Sequence, residues 1–349
     1  MKTISLFFAS LLLAVMITSC KPKTATEAVA VKTDISEFIG QWTIDVEGGG
    51  VSWLEVTREK DYLDGKLLWE GGSVLPVSSI FLANDHVLMV QRENRTVVRE
   101  KDVNNNPLKT SIFTIWLEVV KNGDKIEGIF LNPRNNGLSV DTARFTGTKL
   151  PAPPAAPDLS KVKYGEPVTL FGGKDLSGWR LINEKQKSGW TIKDGVLSND
   201  PVQVEGQPHV SYGNLRTEGE FGDFNLKLEV MIPAGSNSGV YLKGMYEIQV
   251  VDSYGKALDP HNMGGLYSRI CPTVSAEKPA GQWQTMDITL CDRHVTVILN
   301  GVKIIDNQPA YGPTGGAIIS DVFAKGPIYL QGDHGTVSYR NIVLTPIIK

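Results

Sequence analysis

The sequence predicts an all-β protein, and three observations carry that reading. Apolar and polar residues alternate with period two in runs of four to eight, the pattern of half-buried strands. The runs are broken by Gly-Gly, Asn-Gly and Pro-containing turns, and 35 Gly and 19 Pro in 349 residues suit short strands better than long helices. The chain is 41% hydrophobic and 21% charged, so it can bury real cores and is neither disordered, collagen-like nor a coiled coil. Its length suits roughly two domains. A formal charge of −3 without a Lys/Arg run argues against nucleic acid as a partner. No Walker-type or Gly-x-Gly-x-x-Gly loop follows a strand, so no nucleotide cofactor is expected.

Residues 1–20 read as a leader. Lys2 gives the positive start, residues 4–17 are apolar except Ser5 and Ser10, and Ile17-Thr18-Ser19-Cys20 follows. The stretch is short for a bilayer span. A Cys directly after a small residue at the end of an apolar run resembles a bacterial lipobox. That resemblance implies lipidation of Cys20, a flexible tether over 21–35, and a protein held at a membrane by its lipid alone. The alternative is an ordinary secretory signal with Cys20 incidental. Lys21-Pro22-Lys23 lacks the acidic cluster of surface-export signals, which favours the periplasmic face, on the outer rather than the inner membrane. Cys271 and Cys291 could then pair in an oxidising compartment, or stay apart as separately buried thiols.

Residues 36–150 form the first half. Trp42-Thr43-Ile44-Asp45-Val46, Trp53-Leu54-Glu55-Val56, Lys66-Leu67-Leu68-Trp69, Ile112 to Val119 and Lys125 to Phe130 each alternate. They predict a small antiparallel barrel or sandwich. Gly40-Gln41-Trp42 resembles the Gly-x-Trp start of lipocalin-like barrels, which implies a closed barrel. Asp102-Val-Asn104-Asn-Asn106 begins like a calcium loop, but Pro107 and Phe113 stand where Gly and Glu are needed, so it reads as a turn. Four prolines between 151 and 157 mark residues 151–163 as a linker.

The second half, 164–349, opens with Phe171-Gly-Gly-Lys-Asp175-Leu-Ser-Gly178-Trp179 and Gly189-Trp190. It continues through Leu215 to Phe224, Asn237-Ser-Gly239-Val-Tyr241, Tyr246-Glu247-Ile-Gln249-Val250 and Gly281-Gln-Trp283, and closes with Leu330-Gln331-Gly-Asp-His334-Gly and Arg340-Asn341-Ile342. This ordered series resembles the 3-keto-disaccharide hydrolase family, whose fold is similar to concanavalin A-like lectins and glucanases. The resemblance implies a two-sheet jelly roll and a glycoside whose sugar carries a ketone at carbon 3.

The residues support a sugar site independently. Around Phe224–Ile232, Val240–Lys243 and Tyr246–Val250 the strands alternate, so Glu229, Tyr241, Lys243, Glu247 and Gln249 are expected on one polar sheet face, with a solvated face as the alternative for Glu229. Glu247 interrupts a strongly apolar strand and would cost energy if buried unpaired. A ketone at carbon 3 acidifies the carbon 2 hydrogen, so hydrolysis can run by proton abstraction, elimination and hydration. On this reading Glu247 and His261 share the acid and base work, Asp252 orients a histidine or the substrate, and Lys243 polarises the ketone. Tyr241, Gln249, Glu229 and His334 bind substrate. Asp252 reads equally as a turn former, and His261 and His334 equally as structural. Gln249 stands where glucanases of this fold have a second carboxylate, which disfavours a double displacement on an ordinary β-glucan. A divalent metal is left open, since no histidine pair has close ligand spacing. The competing reading is a glycan-binding lipoprotein without chemistry.

Overall fold

Alternation in the first half produces a meander. Its strands are β1 (Gly40–Val46), β2 (Gly50–Arg58), β3 (Leu63–Leu68), β4 (Leu75–Pro76), β5 (Ser79–Ala83), β6 (Val87–Lys101), β7 (Pro107–Asn122), β8 (Lys125–Pro133) and β9 (Val140–Leu150). Each pairs antiparallel with the next in sequence except β4 and β5, and β9 returns to pair with β1. The two ends of this path, β4 and β5, are joined by Val77 and Ser78, whose amides donate to Gly65 on β3 and Gln91 on β6. The sheet thus closes on itself as an up-and-down barrel, leaving no long free edge. Trp42, Ile44, Leu54, Val56, Leu88, Leu117 and Ile126 fill it, with Trp69 stacked on Phe130 at 4.1 Å between ring centroids.

The structure is a computed structural model and describes residues 34–348; the leader, Cys20 and nearly all of the tether lie outside the described residues. The first sheet ends at Leu150 and the next strand starts at Lys163, on either side of the proline stretch. That stretch is fastened to the second half: the Arg293 guanidinium donates to Pro151 O at 3.1 Å and Asn307 Nδ2 to Pro157 O at 2.9 Å.

The second half is a two-sheet jelly-roll sandwich, and the fold is all-β as the alternation predicts. Its strands are β10 (Lys163–Tyr164), β11 (Val168–Phe171), β12 (Trp179–Leu181), β13 (Trp190–Lys193), β14 (Val196–Asn199), β15 (Leu215–Thr217), β16 (Phe224–Met231), β17 (Asn237–Leu242), β18 (Tyr246–Val251), β19 (Gln284–Cys291), β20 (His294–Leu299), β21 (Val302–Pro309), β22 (Tyr329–Leu330) and β23 (Val337–Ile348). The larger sheet runs β13-β14-β23-β16-β19-β20-β21, with β10 and β11 also on β23; the smaller runs β12-β15-β22-β17-β18. Leu226, Leu228, Val230, Val240, Leu242, Ile248, Val250 and Leu330 are all buried between the sheets.

The halves are not independent. Along β2, Leu54 and Val56 point into the barrel, while Trp53, one residue out of phase, is buried with the sandwich core together with Leu68 and Leu150. The described residues fall within a single compact unit. Cys271 and Cys291 are not joined in a disulfide, and the second of them is buried.

Candidate active site

Strand register in the smaller sheet decides which side chains meet. Tyr241 lies opposite Glu247 across the β17–β18 hairpin and opposite Tyr329 on β22, while Gly239 lies opposite Gln249. Because their neighbours Val240, Ile248 and Leu330 fill the sandwich core, these residues project from the other face of the sheet. There they line a pocket of about 130 Å³, completed by Asn214, Asn237, Gln331, Asp333, His334, Tyr267, Gly315, Gly316 and, from the barrel, Gly71. Tyr241 and Tyr329 stack at 3.8 Å and 13°, and their hydroxyls donate to the carbonyls of Gly315 (2.7 Å) and Gly316 (2.5 Å).

Glu247 is only 3% exposed. Burial pushes its carboxyl up to about 8, against the opposing pull of the Tyr241 hydroxyl and His334, so the acid is largely protonated at neutral pH. His334 is half-exposed; its Nδ1 lies 2.8 Å from Asp333 Oδ1, and that hydrogen bond raises its pKa above the usual histidine value. Gln249 donates from Nε2 to Asn237 Oδ1 at 3.0 Å, while its Oε1 and that of Gln331 are buried without a partner. Two unpaired amide oxygens in one small polar pocket are acceptors awaiting hydroxyl donors.

The absence of a side chain at position 239 makes the site possible. A Cβ there would stand 2.2 Å from Glu247 Oε1, so the carboxyl rests over bare backbone. Gly239→Ala is therefore expected to displace the carboxyl and lower turnover by about a hundredfold, as misplacement of a reacting group by about 1 Å does; steady-state kinetics beside a thermal melt would separate this from unfolding.

The structure brings together Glu247, Tyr241, Gln249 and His334, and separates the other expected residues. Glu229 is corrected: β16 belongs to the larger sheet, where the carboxylate pairs with Arg340 (2.6 Å) and Asn341 (2.7 Å). Lys243 is corrected as well. β17 ends at Leu242, and Lys243, at φ +55°, turns its ammonium to Val322 O at 3.1 Å, lining a different cleft. Asp252 is a turn former whose Oδ2 accepts from the Gly235 amide at 2.9 Å, outside the pocket. His261 stands one shell back. Its Nδ1 lies 2.6 Å from Asp259 Oδ1, its Nε2 3.0 Å from Ser73 Oγ, and Ser73 Oγ is 3.1 Å from the hydroxyl of Tyr267, which does line the pocket.

Tyr329, Gln331, Asp333, Asn214, Asn237 and Tyr267 are pocket residues that the sequence reading passed over. Gln331 and Asp333 share the Leu330-Gln-Gly-Asp-His334 motif with His334, and period two from Gln331 points back to Tyr329, so part of this signal was present. Among the described residues one group of potential metal ligands stands out, Asp223, Cys291 and Asp292, with ligand atoms all within 4.8 Å of one another. It lies away from the pocket, and one Asp223 oxygen accepts from the Asp292 amide at 3.1 Å.

The profile of the 3-keto-alpha-glucoside-1,2-lyase-like domain matches residues 166–345. A 3-keto-disaccharide hydrolase of Bacteroides thetaiotaomicron is 28% identical over 150 residues, covering 35% of this chain and 51% of that protein, so the chain spans about half the length of the curated relative it matches. A Parabacteroides distasonis protein described as a glycosyl hydrolase superposes with a TM-score of 0.42 at 28% identity, over 56% of this chain and 92% of the other. A non-specific endo-β-1,3(4)-glucanase of family GH16 superposes at 0.35 and 12% identity, over 55% of this chain and 93% of the other.

Proposed function

The chain belongs to the 3-keto-alpha-glucoside-1,2-lyase-like family, and from that premise we propose that it hydrolyses glycosides whose sugar is oxidised at carbon 3, by elimination followed by hydration. The observation that carries this reading is a buried carboxyl, Glu247, raised to about 8 beside the Asp333–His334 pair in a pocket of unpaired amide acceptors.

Neutral Glu247 is the acid and His334, oriented by Asp333, the base. His334 takes the proton from carbon 2; the electron pair left behind expels the carbon 1 substituent, whose oxygen takes the proton of Glu247. Water then adds to carbon 1 of the enone, giving a proton to the Glu247 carboxylate, while imidazolium returns its proton to carbon 2. The sum is hydrolysis with both groups restored. The sugar stays oriented through the oxygens of Gln249 and Gln331, and the stacked tyrosines form a wall for its ring.

The test is to incubate the protein with a 3-keto-glucoside and with its unoxidised parent, with and without a chelator, and follow the released aglycone. Release from the keto compound alone is expected. Cleavage of both compounds at equal rates overturns the elimination route, and cleavage of neither overturns the assignment.

A pH dependence of stability follows from the same carboxyl. The folded state holds the Glu247 proton up to about pH 8, whereas the unfolded chain releases it near the ordinary 4.5. The native state therefore binds more protons between those values, and stability falls as pH rises from about 4.5 to 8. Urea melts at pH 5 and pH 8 should show a loss in the wild type that is smaller in Glu247→Gln, where no proton can be lost.

A further inference from the structure

The barrel touches the pocket at one place, the 70–74 loop between β3 and β4, outside the segment matched by the family profile. Gly71 is itself part of the pocket wall. The loop is held from several directions. Glu70 O accepts from the Gly316 amide at 3.2 Å, and the Val74 amide donates to Ser268 Oγ at 2.8 Å. Ser73 Oγ bridges His261 Nε2 (3.0 Å) and the Tyr267 hydroxyl (3.1 Å). The fit is close, since a Cβ on Gly315 would fall 2.3 Å from the carbonyl of Gly72. Three segments of the second half, at 261, 267–268 and 315–316, thus grip five residues of the first.

The loop's position within the pocket indicates what it does. Glu247 and Gln249 are both 3% exposed and form the floor, whereas Gly71 is exposed and His334 half-exposed, at the mouth. A sugar that places its carbon 1 oxygen on Glu247 fills the floor of a space that holds about four waters. Its leaving group must then point outward, past Gly71. We infer that the 70–74 loop of the barrel is the wall that selects the leaving group, with Gly71 providing the opening and Ser73 holding the wall in place through His261 and Tyr267. This rests on the pocket being the active site proposed above. The barrel is then neither an anchor spacer nor a separate binding module but part of the enzyme's specificity.

Gly71 makes the inference testable, because its backbone is in an ordinary conformation and a Cβ there meets nothing within 4 Å. Gly71→Leu should fold and narrow the mouth. The full chain and this variant are assayed with methyl 3-keto-glucoside and with a 3-keto-disaccharide. The expected result is that kcat/KM for the disaccharide falls at least tenfold further than for the methyl glycoside. Ser73→Ala, a change in positioning, should move the same ratio in the opposite direction, chiefly through KM, with the melting temperature recorded beside it. An unchanged ratio in both variants of an active enzyme overturns the inference and leaves the proposed function standing. A wild type that cleaves neither compound overturns both. Gly71→Ala repeats the test with a smaller group if Gly71→Leu is unstable.

Discussion

Glu247→Gln is expected to lower kcat by about a thousandfold on a 3-keto-glycoside while leaving KM within a few-fold of the wild type. The amide keeps the size and hydrogen-bonding capacity of a protonated carboxyl but has no proton to give to a departing oxygen, and general acid catalysis is worth about 10² to 10⁴ in rate. Substrate contacts through Gln249, Gln331 and the tyrosines survive, so binding survives. The pH profile should agree: wild-type kcat falls as pH rises through about 8, where burial can no longer hold the proton on Glu247, and the small residual rate of the variant lacks that limb. A stopped assay over pH 6–9 with both proteins reads all of this. Equal kcat in the two would remove Glu247 from the chemistry, and binding of sugar with no turnover by either would return the protein to the lectin reading.

Trp53→Ala should produce the largest loss of stability, about 3–5 kcal/mol, the range for deleting a large buried aromatic side chain. Trp53 is 2% exposed and sits in the sandwich core although it belongs to the barrel. The Arg269 guanidinium lies 4.4 Å from its ring centroid, and burial holds that guanidinium down at about 10, so loss of the ring would leave a desolvated cation without its aromatic partner. Gly312 is packed against the indole so closely that a Cβ would stand 2.7 Å away. Urea unfolding followed by tryptophan fluorescence and by circular dichroism would measure the effect. A lowered midpoint is expected. Splitting of the single transition into two would show that Trp53 also couples the halves.

The strand alternation around Tyr246-Glu-Ile-Gln-Val250 was enough to single out Glu247 and Gln249, because a carboxylate and an amide in an apolar strand need a polar face. The same reasoning failed for Glu229 for a definite reason. Period two tells which face of a strand a residue occupies but not which sheet the strand joins, and β16 pairs with β19 and β23 instead of β17. Lys243 was lost by counting one residue past the end of β17 into a left-handed turn. His334 was legible through its motif, whereas the partnership of Ser73 with His261 joins positions 188 apart in sequence and leaves no local trace. A small antiparallel barrel or sandwich was legible in the alternation, and it was the resemblance of Gly40-Gln41-Trp42 that pointed to a closed barrel. Its share in the pocket was not, because Gly71 and Ser73 read as turn residues and nothing more.

The place of β23 has a consequence for synthesis of the chain. It is the last described strand to leave the ribosome, yet it lies inside the larger sheet, bonded to β14 on one side and β16 on the other. Until residues 337–348 emerge, β14 and β16 are open edges and Leu226, Leu228 and Val230 have nothing complete to pack on. The barrel, whose strands are contiguous from 40 to 150, has no such delay and can close while translation continues. A chain cut short before residue 337 would thus carry a closed barrel joined to an open, adhesive half-sandwich, and such products should be substrates for holding chaperones and proteases.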